Sequence, residues 1–393
     1  MKGESGHEEI EPIITIENLP FTIGVYDVPV NPQNFPSLLP LSLGVSLRSG
    51  LVSQLPSADV RHFLNLAYSE GSLLGTAMDD TPLGRPYAED FLAFIRETIN
   101  PSGTRFLEIG AGRGYLLKRL QGEGASVLGI EPGSNHAAAW KAYEVTVLNE
   151  FFPSKAITEQ FDFISGYAVL EHMEELDDFL QAVRRQLKPG GTVAFAVPDC
   201  GEFIAQGDPS MLVHEHWHYF TAESLRAVME TAGFRVVHHR TAGYGRVLYV
   251  AATVSHDDKS PCGANEEIEK ARQFAAKCSR LRRWTAHQVN RLEEQKRSLG
   301  VFVPGRALAL LPPHCDVRFF DDDTHLHGRF FPPFSSAVED RQSLLRRPVD
   351  ELWILSRSFG PRLALDLAAA GELKRTRIRT IVEIASEAGN EVA

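Results

Sequence analysis

The chain has 393 residues, of which 43% are hydrophobic and 23% charged, and its formal net charge is −11. That length is sufficient for two or three domains. The acidic balance argues against nonspecific nucleic-acid binding, which needs a basic face. No apolar run is long enough to span a membrane, and we expect no secretory signal in the polar N-terminus. The four cysteines lack paired spacing, as is typical of free thiols in the cytoplasm.

The chain is predicted to have four parts. Residues 1–75 are proline-rich and poorly periodic, and residues 76–256 carry the motifs of a cofactor-binding domain. Residues 257–300 form a linker that contains one long helix, Asn265–Leu299, with apolar residues near one face and Gly300 as its stop. Residues 301–393 alternate short apolar runs with helical segments, which indicates a second, smaller α/β domain.

The most informative part of the cofactor domain is a strand followed by a glycine-rich loop. Phe106–Ile109 is a short apolar run that predicts a strand, GAGRG at 110–114 follows at once, and Tyr115–Leu120 has helical spacing. Glycines are needed where the backbone approaches a ligand without a Cβ in the way. The pattern therefore predicts a ligand-binding loop between a strand and a helix.

Two acidic residues near the loop indicate which class of ligand it binds. A second strand, Ser126–Ile130, ends in Glu131, which can accept hydrogen bonds from the hydroxyls of a ribose. Glu108 stands just before the loop, where a carboxylate suits the ammonium of a methionine moiety but would repel a pyrophosphate. The helix start also lacks the third glycine at dinucleotide spacing. These features favour S-adenosylmethionine over a nicotinamide dinucleotide.

The following segment repeats the alternation of strands and helices. A strand from Asp162 to Ser165 is predicted to end in a loop at Gly166-Tyr167, and a helix follows that KPGG at 188–191 stops. Val193–Val197 is the next strand. Over residues 83–254 the sequence resembles the class I S-adenosylmethionine-dependent methyltransferases. The resemblance implies an α/β fold with a mostly parallel, Rossmann-like sheet and the cofactor at the carboxyl ends of its strands. The cofactor contacts that it implies are Glu108, Gly110, Ala111, Gly112, Gly114, Glu131, Pro132, Asn149 and Tyr167.

A narrower resemblance covers most of the chain. Sugar C-methyltransferases of bacterial deoxysugar pathways have a small zinc-binding domain, a class I domain and a C-terminal Rossmann-like domain. Four stretches are similar to that family: PLSLGVSLRSGLVSQL at 40–55, HEHWHYFTAESL at 214–225, AGYGRVLYV at 242–250 and FFDDDTHLHGRFFPP at 319–333.

The departures from that family concern metal and substrate. Ser46 and Ser49 occupy the places of two zinc-binding cysteines, and no other cysteine precedes Cys200. Serine hydroxyls are poor zinc ligands, so we expect no metal in this degenerate knuckle. Val213 replaces a tyrosine of the family, and VPGRALAL replaces a glycine-rich loop of its C-terminal domain. The resemblance therefore does not determine the substrate of this protein or the role of its C-terminal domain.

The resemblance also implies a catalytic group. His216 would be a base, Glu215 would orient it or bind a sugar hydroxyl, and Tyr219 would shape the substrate pocket. The alternative is a polar loop that packs against a helix capped by Thr221. HEHWH also matches the HExxH string of zinc proteases, which works only on a helix, whereas this stretch is predicted to precede one.

These features predict a methyltransferase that acts on a small metabolite. C-methylation of a nucleotide-linked keto-deoxysugar is the most specific version. O- or N-methylation of another small molecule is the first alternative, and a non-catalytic, methyltransferase-like scaffold subunit is the second.

Overall fold

The structure, a computed structural model, describes residues 9–22, 24–31, 35–70, 78–82, 84–255, 264–357 and 359–390. The predicted boundary at 75/76 and the loop at 256–263 lie outside the described residues. Contacts divide the chain into two compact units. The first comprises Met1–Pro12, Leu43–Gly201 and Glu215–Glu269, and the second comprises Ile13–Ser42, Glu202–His214 and Lys270–Ala393. The four-part division remains a prediction.

Strands and helices alternate along most of the chain. The strands are β1 (Ile10–Pro20), β2 (Leu38–Ser46), β3 (Val52–Gln54), β4 (Arg105–Ile109), β5 (Ser126–Ile130), β6 (Val147–Leu148), β7 (Phe161–Tyr167), β8 (Leu187–Pro198), β9 (His218–Tyr219), β10 (Phe234–Thr241), β11 (Val247–Val254), β12 (Leu299–Phe302), β13 (Arg318–Phe320), β14 (Val338–Glu339), β15 (Glu351–Ile354) and β16 (Arg377–Thr380). The helices are α1 (Ala58–Glu70), α2 (Arg85–Thr98), α3 (Tyr115–Gly122), α4 (Ala137–Tyr143), α5 (Leu176–Gln186), α6 (Gly201–Gln206), α7 (Ala222–Thr231), α8 (Ala264–Glu294), α9 (Arg341–Arg346), α10 (Gly360–Ala368) and α11 (Ile381–Asn390). No helix among these described segments is both long and apolar enough to cross a membrane.

A seven-stranded sheet forms the centre of the first unit, in the order β10-β11-β8-β7-β4-β5-β6. The β10–β11 and β11–β8 pairs are antiparallel, and the other neighbours are parallel. The strand order reverses beside β4, because β5 and β6 lie on one side of it and β7 and β8 on the other. In open α/β sheets such a switch point opens a crevice at the carboxyl ends of the strands, where ligands bind. The α/β fold with a Rossmann-like sheet is confirmed.

Two predicted boundaries in this sheet are wrong. β7 continues through Tyr167, because Gly166 pairs with Phe195 and with Ile109 inside the sheet. A Cβ on Gly166 would lie 3.2 Å from the Phe195 ring, so this glycine permits close packing and makes no turn. KPGG likewise lies within β8, as a bulge between the pairs Phe161–Leu187 and Phe163–Thr192.

The second unit contains a parallel sheet of five strands in the order β14-β13-β12-β15-β16. This confirms the second α/β fold that the sequence predicts. The long helix is shorter than predicted, because it ends at Glu294, where Lys296 adopts a positive φ of 55° and Arg297 N–H donates to the Leu292 carbonyl at 2.8 Å. Gly300 belongs to β12, and a Cβ there would lie 2.9 Å from the Phe320 ring.

A pair of serine hydroxyls closes the turn between β2 and β3. Ser49 Oγ–H donates to Ser46 Oγ at 2.9 Å, and Ser49 N–H donates to the same oxygen at 3.0 Å. Gly50 continues the turn with a φ of +72°. Both serines are buried. Hydrogen bonds therefore join the two positions at which the resembling family has zinc thiolates.

A buried histidine joins β9 to its surroundings within the first unit. His218 Nε2–H donates to the Met173 carbonyl at 2.8 Å, while His218 Nδ1 accepts from Ser53 Oγ at 2.9 Å. Burial lowers the pKa of His218 to about 4, against the opposing hydrogen bond to Met173. The ring is therefore neutral in the folded protein at neutral pH.

We predict that the Ser46–Ser49 turn holds no zinc, because its neutral hydroxyls cannot replace thiolate ligands. Elemental analysis of protein purified without added metal is expected to find well under one zinc per chain. A stoichiometric zinc that disappears in a Ser46→Ala, Ser49→Ala variant would contradict the prediction.

We also predict that the free energy of unfolding decreases as the pH falls from about 6.5 to about 4. The unfolded state takes up a proton on His218 near the ordinary value of about 6.5, whereas the folded state takes it up only near 4, so acid favours unfolding in that window. Urea titrations at several pH values measure the free energy of unfolding. Its decrease between about pH 6.5 and about pH 4 is expected to be smaller for His218→Gln than for the wild type. His62→Gln, at an exposed position, is the control. An equal decrease for the wild type and His218→Gln would contradict the assignment.

Candidate active site and cofactor site

The glycine-rich loop that follows β4 has a backbone that only glycine adopts readily. Gly110, Gly112 and Gly114 have φ angles of 71°, 47° and 78°. A Cβ on Gly110 would also lie 2.8 Å from Val169 Cγ2. The loop thus presents bare backbone at the switch point of the sheet, where the sequence predicts the cofactor.

The carboxylate of Glu131 links the glycine-rich loop after β4 to the loop after β5. Its Oε2 accepts from Gly112 N–H at 2.9 Å and its Oε1 accepts from Gly133 N–H at 2.8 Å. Each oxygen keeps acceptor capacity for a further donor, such as a ribose hydroxyl. Glu131 therefore both shapes the glycine loop and offers the chemistry that the sequence predicts for it.

Two further side chains fix these loops. Asn149 Nδ2 donates to the carbonyls of Glu131 and Pro132, each at 2.9 Å. The structure thus gives Asn149 a positioning role, and the adenine contact remains a prediction. Trp140 Nε1–H donates to the Gly112 carbonyl at 2.7 Å. Sequence reasoning missed Trp140, because nothing in the surrounding AAAWKAY helix separates it from an ordinary core residue.

Two buried polar groups face each other in register on β4 and β7. Glu108 and Ser165 are paired positions, and both side chains are almost fully buried. Glu108 Oε2 and Ser165 Oγ have no hydrogen-bond partner among the residues that the structure describes. Burial, and then the charge of Glu131, raise the pKa of Glu108 well above its usual range. An ammonium group nearby would relieve the cost of burying this carboxyl.

These residues fit S-adenosylmethionine. The glycine loop admits a close backbone approach, Glu131 can accept ribose hydroxyls, and Glu108 suits the methionine ammonium. Ala111 lies in the same loop, where its N–H donates to the Ile130 carbonyl at 3.2 Å. Tyr167 lies one residue beyond Gly166, at the end of the neighbouring strand β7.

Residues 215–217 of the HEHWH stretch lie at the same carboxyl edge of the sheet. Trp217 N–H donates to the Glu171 carbonyl at 2.6 Å, and His172 Nδ1–H donates to the Glu215 carbonyl at 2.9 Å. Glu171 and His172 belong to a short turn of 3-10 helix that begins three residues after β7 ends. These two bonds therefore hold His216 at the edge on which the cofactor loop opens.

His216 is surrounded by polar and aromatic groups. Its ring centroid lies 5.0 Å from that of His172, nearly perpendicular to it, and 6.2 Å from that of Tyr219. Ligand atoms of Glu171, His172 and His216 all lie within 4.8 Å of one another, which is close enough for a metal ion to be considered. The roles of His216, Glu215 and Tyr219 remain predictions. The sequence analysis assigned no role to Glu171. The one feature of the sequence that could have pointed to it is its position next to His172, shortly after β7 ends.

The stretch does not form the HExxH arrangement of zinc proteases. The helix α7 begins at Ala222, after Thr221, which caps it together with Ser224. His214 and His218 therefore precede the helix, and each donates a ring N–H to a backbone carbonyl, Leu39 and Met173 respectively. The expectation that this stretch lies before the helix is confirmed.

A cavity of about 630 Å³ opens beside this cluster in the first unit. Its lining residues are aromatic, basic and acidic, and they include His172, Trp217, Phe151, Phe152, Arg61, Arg185, Glu174, Glu175 and Asp178. A volume of this size is typical of small-molecule sites. The cavity therefore has room for a small molecule beside His172 and Trp217.

Comparison with known proteins identifies the domain. A family profile described as a methyltransferase domain matches residues 84–239. The C-methyltransferase NovU of Streptomyces niveus is 25% identical over 287 residues, which cover 66% of this chain and 68% of that protein. A ubiquinone biosynthesis O-methyltransferase of Pseudomonas fluorescens is 31% identical over 111 residues, which cover 26% of this chain and about half (48%) of that protein.

Solved structures show a looser similarity. A crystal structure of an S-adenosylmethionine-dependent methyltransferase from Mesorhizobium loti aligns with a TM-score of 0.36 and 18% identity, over 42% of this chain and 97% of the other. The sheet order, the glycine loop with its two acids and the profile match agree with one another. Residues 84–239 therefore form a class I S-adenosylmethionine-dependent methyltransferase domain.

Proposed function

We propose that this enzyme methylates a carbon atom of a nucleotide-linked keto-deoxysugar, with His216 as the base. The observation that carries the proposal is the position of His216. Two hydrogen bonds, from Trp217 N–H to the Glu171 carbonyl and from the His172 ring to the Glu215 carbonyl, hold it at the edge of the sheet where the cofactor loop opens. The similarity to a C-methyltransferase over 66% of the chain supports the carbon acceptor.

In the proposed methyl transfer, the cofactor supplies the methyl group and residues of this chain handle the proton and the substrate. S-adenosylmethionine, when bound, supplies an electrophilic methyl group. His216 removes a proton from the carbon next to the sugar carbonyl and so generates an enolate nucleophile. The methyl group would pass from the sulfonium to that carbon as its bond to sulfur breaks, with S-adenosylhomocysteine as the leaving group. The buried carboxyl of Glu171 lies close enough to favour the imidazolium that results. Glu215 orients the base or binds a sugar hydroxyl, and Tyr219 packs near the His216 ring, with centroids 6.2 Å apart.

The cavity beside His172 is the proposed acceptor site. Its aromatic lining residues suit the apolar face of a deoxysugar. Arg185 offers a cation for a phosphate of the linked nucleotide, while Glu174, Glu175 and Asp178 line the same cavity and offer acceptors for sugar hydroxyls. His172 connects this cavity to the catalytic stretch through its bond to the Glu215 carbonyl.

We predict that Glu131→Ala weakens S-adenosylmethionine binding by at least tenfold, about 1.4 kcal/mol, because it removes the ribose acceptor and releases the glycine loop. Isothermal titration calorimetry measures the change. Glu159→Ala, which removes a carboxylate from the segment just before β7 begins, is the matched control and is expected to bind normally. Unchanged affinity in Glu131→Ala would refute the ribose assignment.

We predict that His216→Asn binds the cofactor normally but lowers turnover by roughly a hundredfold or more, the usual contribution of a general base. The asparagine keeps polarity but cannot take the proton. His239→Asn, on an exposed position of β10, is the control and is expected to retain full turnover. Normal turnover in His216→Asn would contradict the assignment of His216 as the base and leave it only a structural role.

Solvent exchange separates the acceptor classes. With a nucleotide-linked keto-deoxysugar in deuterated buffer, the wild-type enzyme is expected to exchange the proton next to the carbonyl, and His216→Asn is expected to stop the exchange. Turnover without any exchange in the wild type would favour an oxygen or nitrogen acceptor instead. The partial match to an O-methyltransferase makes that the second candidate.

A further inference from the structure

Three side chains that can ligate a metal ion meet beside the cavity of the first unit. Ligand atoms of Glu171, His172 and His216 all lie within 4.8 Å of one another. Glu171 and His216 are buried, and His172 lines the cavity. In the part of the chain that the structure describes, this is the one group of three or more histidines, cysteines and carboxylates close enough to share an ion.

The two imidazole rings have the separation that a shared ion requires. A zinc–nitrogen bond of about 2.1 Å puts each ring centroid about 3.2 Å from the ion, so two rings at a tetrahedral angle have centroids about 5.2 Å apart. The centroids of His172 and His216 lie 5.0 Å apart, and their ring planes cross at 85°. The rings therefore stand at a suitable distance, and rotation of the side chains is the adjustment that binding requires.

A hydrogen bond prepares the ring of His172 for this role. His172 Nδ1–H donates to the Glu215 carbonyl at 2.9 Å, so Nε2 carries the lone pair of the neutral ring. Metal-binding histidines show the same arrangement, in which a carbonyl or carboxylate accepts from the ring nitrogen that does not bind the ion. The bond thus fixes both the tautomer and the orientation of a metal ligand.

The charge and the surroundings of the three side chains also suit a divalent cation. A carboxylate as deeply buried as that of Glu171 is costly unless a cation or hydrogen bonds compensate its charge. Two histidines and one carboxylate are a common ligand set for transition metal ions that keep open positions. The cavity offers an entry route and room for water ligands, because His172 lines it.

We propose that Glu171, His172 and His216 form an exchangeable site for one divalent transition metal ion, such as Zn²⁺. The site rests on the geometry of the three side chains, whereas its effect on turnover rests on the proposed function. An ion on His216 occupies the lone pair that removes the substrate proton. Bound zinc is therefore expected to inhibit methyl transfer.

A titration of metal-depleted protein with Co²⁺, followed by visible absorption, tests the site. One cobalt ion per chain is expected to bind without the charge-transfer band of thiolate ligands, and Zn²⁺ is expected to displace it. His172→Asn keeps a donor for the Glu215 carbonyl but removes the ligand, and Glu171→Gln removes the carboxylate. Each change is expected to lower the cobalt affinity by at least about a hundredfold, since loss of an outer partner alone costs about 10–100-fold.

His239→Asn, which removes an exposed histidine, is the matched control and is expected to bind cobalt as the wild type does. Normal binding of S-adenosylmethionine shows that a variant is folded. Glu171 is buried, so His172→Asn keeps the test open if Glu171→Gln fails to fold. No cobalt binding by the wild type, a thiolate band, or unchanged affinity in a folded His172→Asn variant would each overturn the proposal.

Turnover measured during a zinc titration separates the site from the base. Zinc is expected to stop methyl transfer in step with its displacement of cobalt. Zinc that displaces cobalt while turnover continues would support the metal site and contradict the assignment of His216 as the base.

Discussion

The cofactor site depends on one interaction: the carboxylate of Glu131 accepts hydrogen bonds from two backbone N–H groups, those of Gly112 and Gly133. The glycine loop has three residues with positive φ and no side chains to hold it, so it needs an external anchor. Glu131 supplies that anchor from the end of β5, and Trp140 holds the opposite side of the loop through the Gly112 carbonyl. One carboxylate therefore combines a structural task with a binding task, and its loss would affect both.

A second constraint brings the catalytic stretch to this edge. The Glu171 carbonyl accepts from Trp217 N–H and the His172 ring donates to the Glu215 carbonyl, and both bonds join parts of the chain more than forty residues apart. On the side of residues 215–217 they use only backbone atoms, so they do not depend on the side chains of Glu215 and His216. The scaffold can therefore hold His216 in place while the surrounding residues change, which suits a fold whose members act on different acceptors.

The sequence predicted the parts of this site that are local. The strand, glycine loop, helix and acid from residue 105 to residue 131 follow directly from short patterns, and the structure reproduces them with boundaries within two residues. Glycine at positions 166, 190 and 300 misled the prediction, because a glycine in a strand interior looks in sequence like a turn or a helix stop. The contact between Glu171 and Trp217 could not be predicted, since it joins residues that are distant in sequence and carry no local pattern.

The serine turn at Ser46 and Ser49 has a consequence for the conditions under which the fold persists. A thiolate knuckle loses its shape when its metal is removed by a chelator or when its sulfurs are oxidised. Hydroxyl groups undergo neither change, and the two serines hold their turn with hydrogen bonds that form as soon as the chain folds. The hydrogen bonds of this turn therefore need neither a metal ion nor reduced thiols to form.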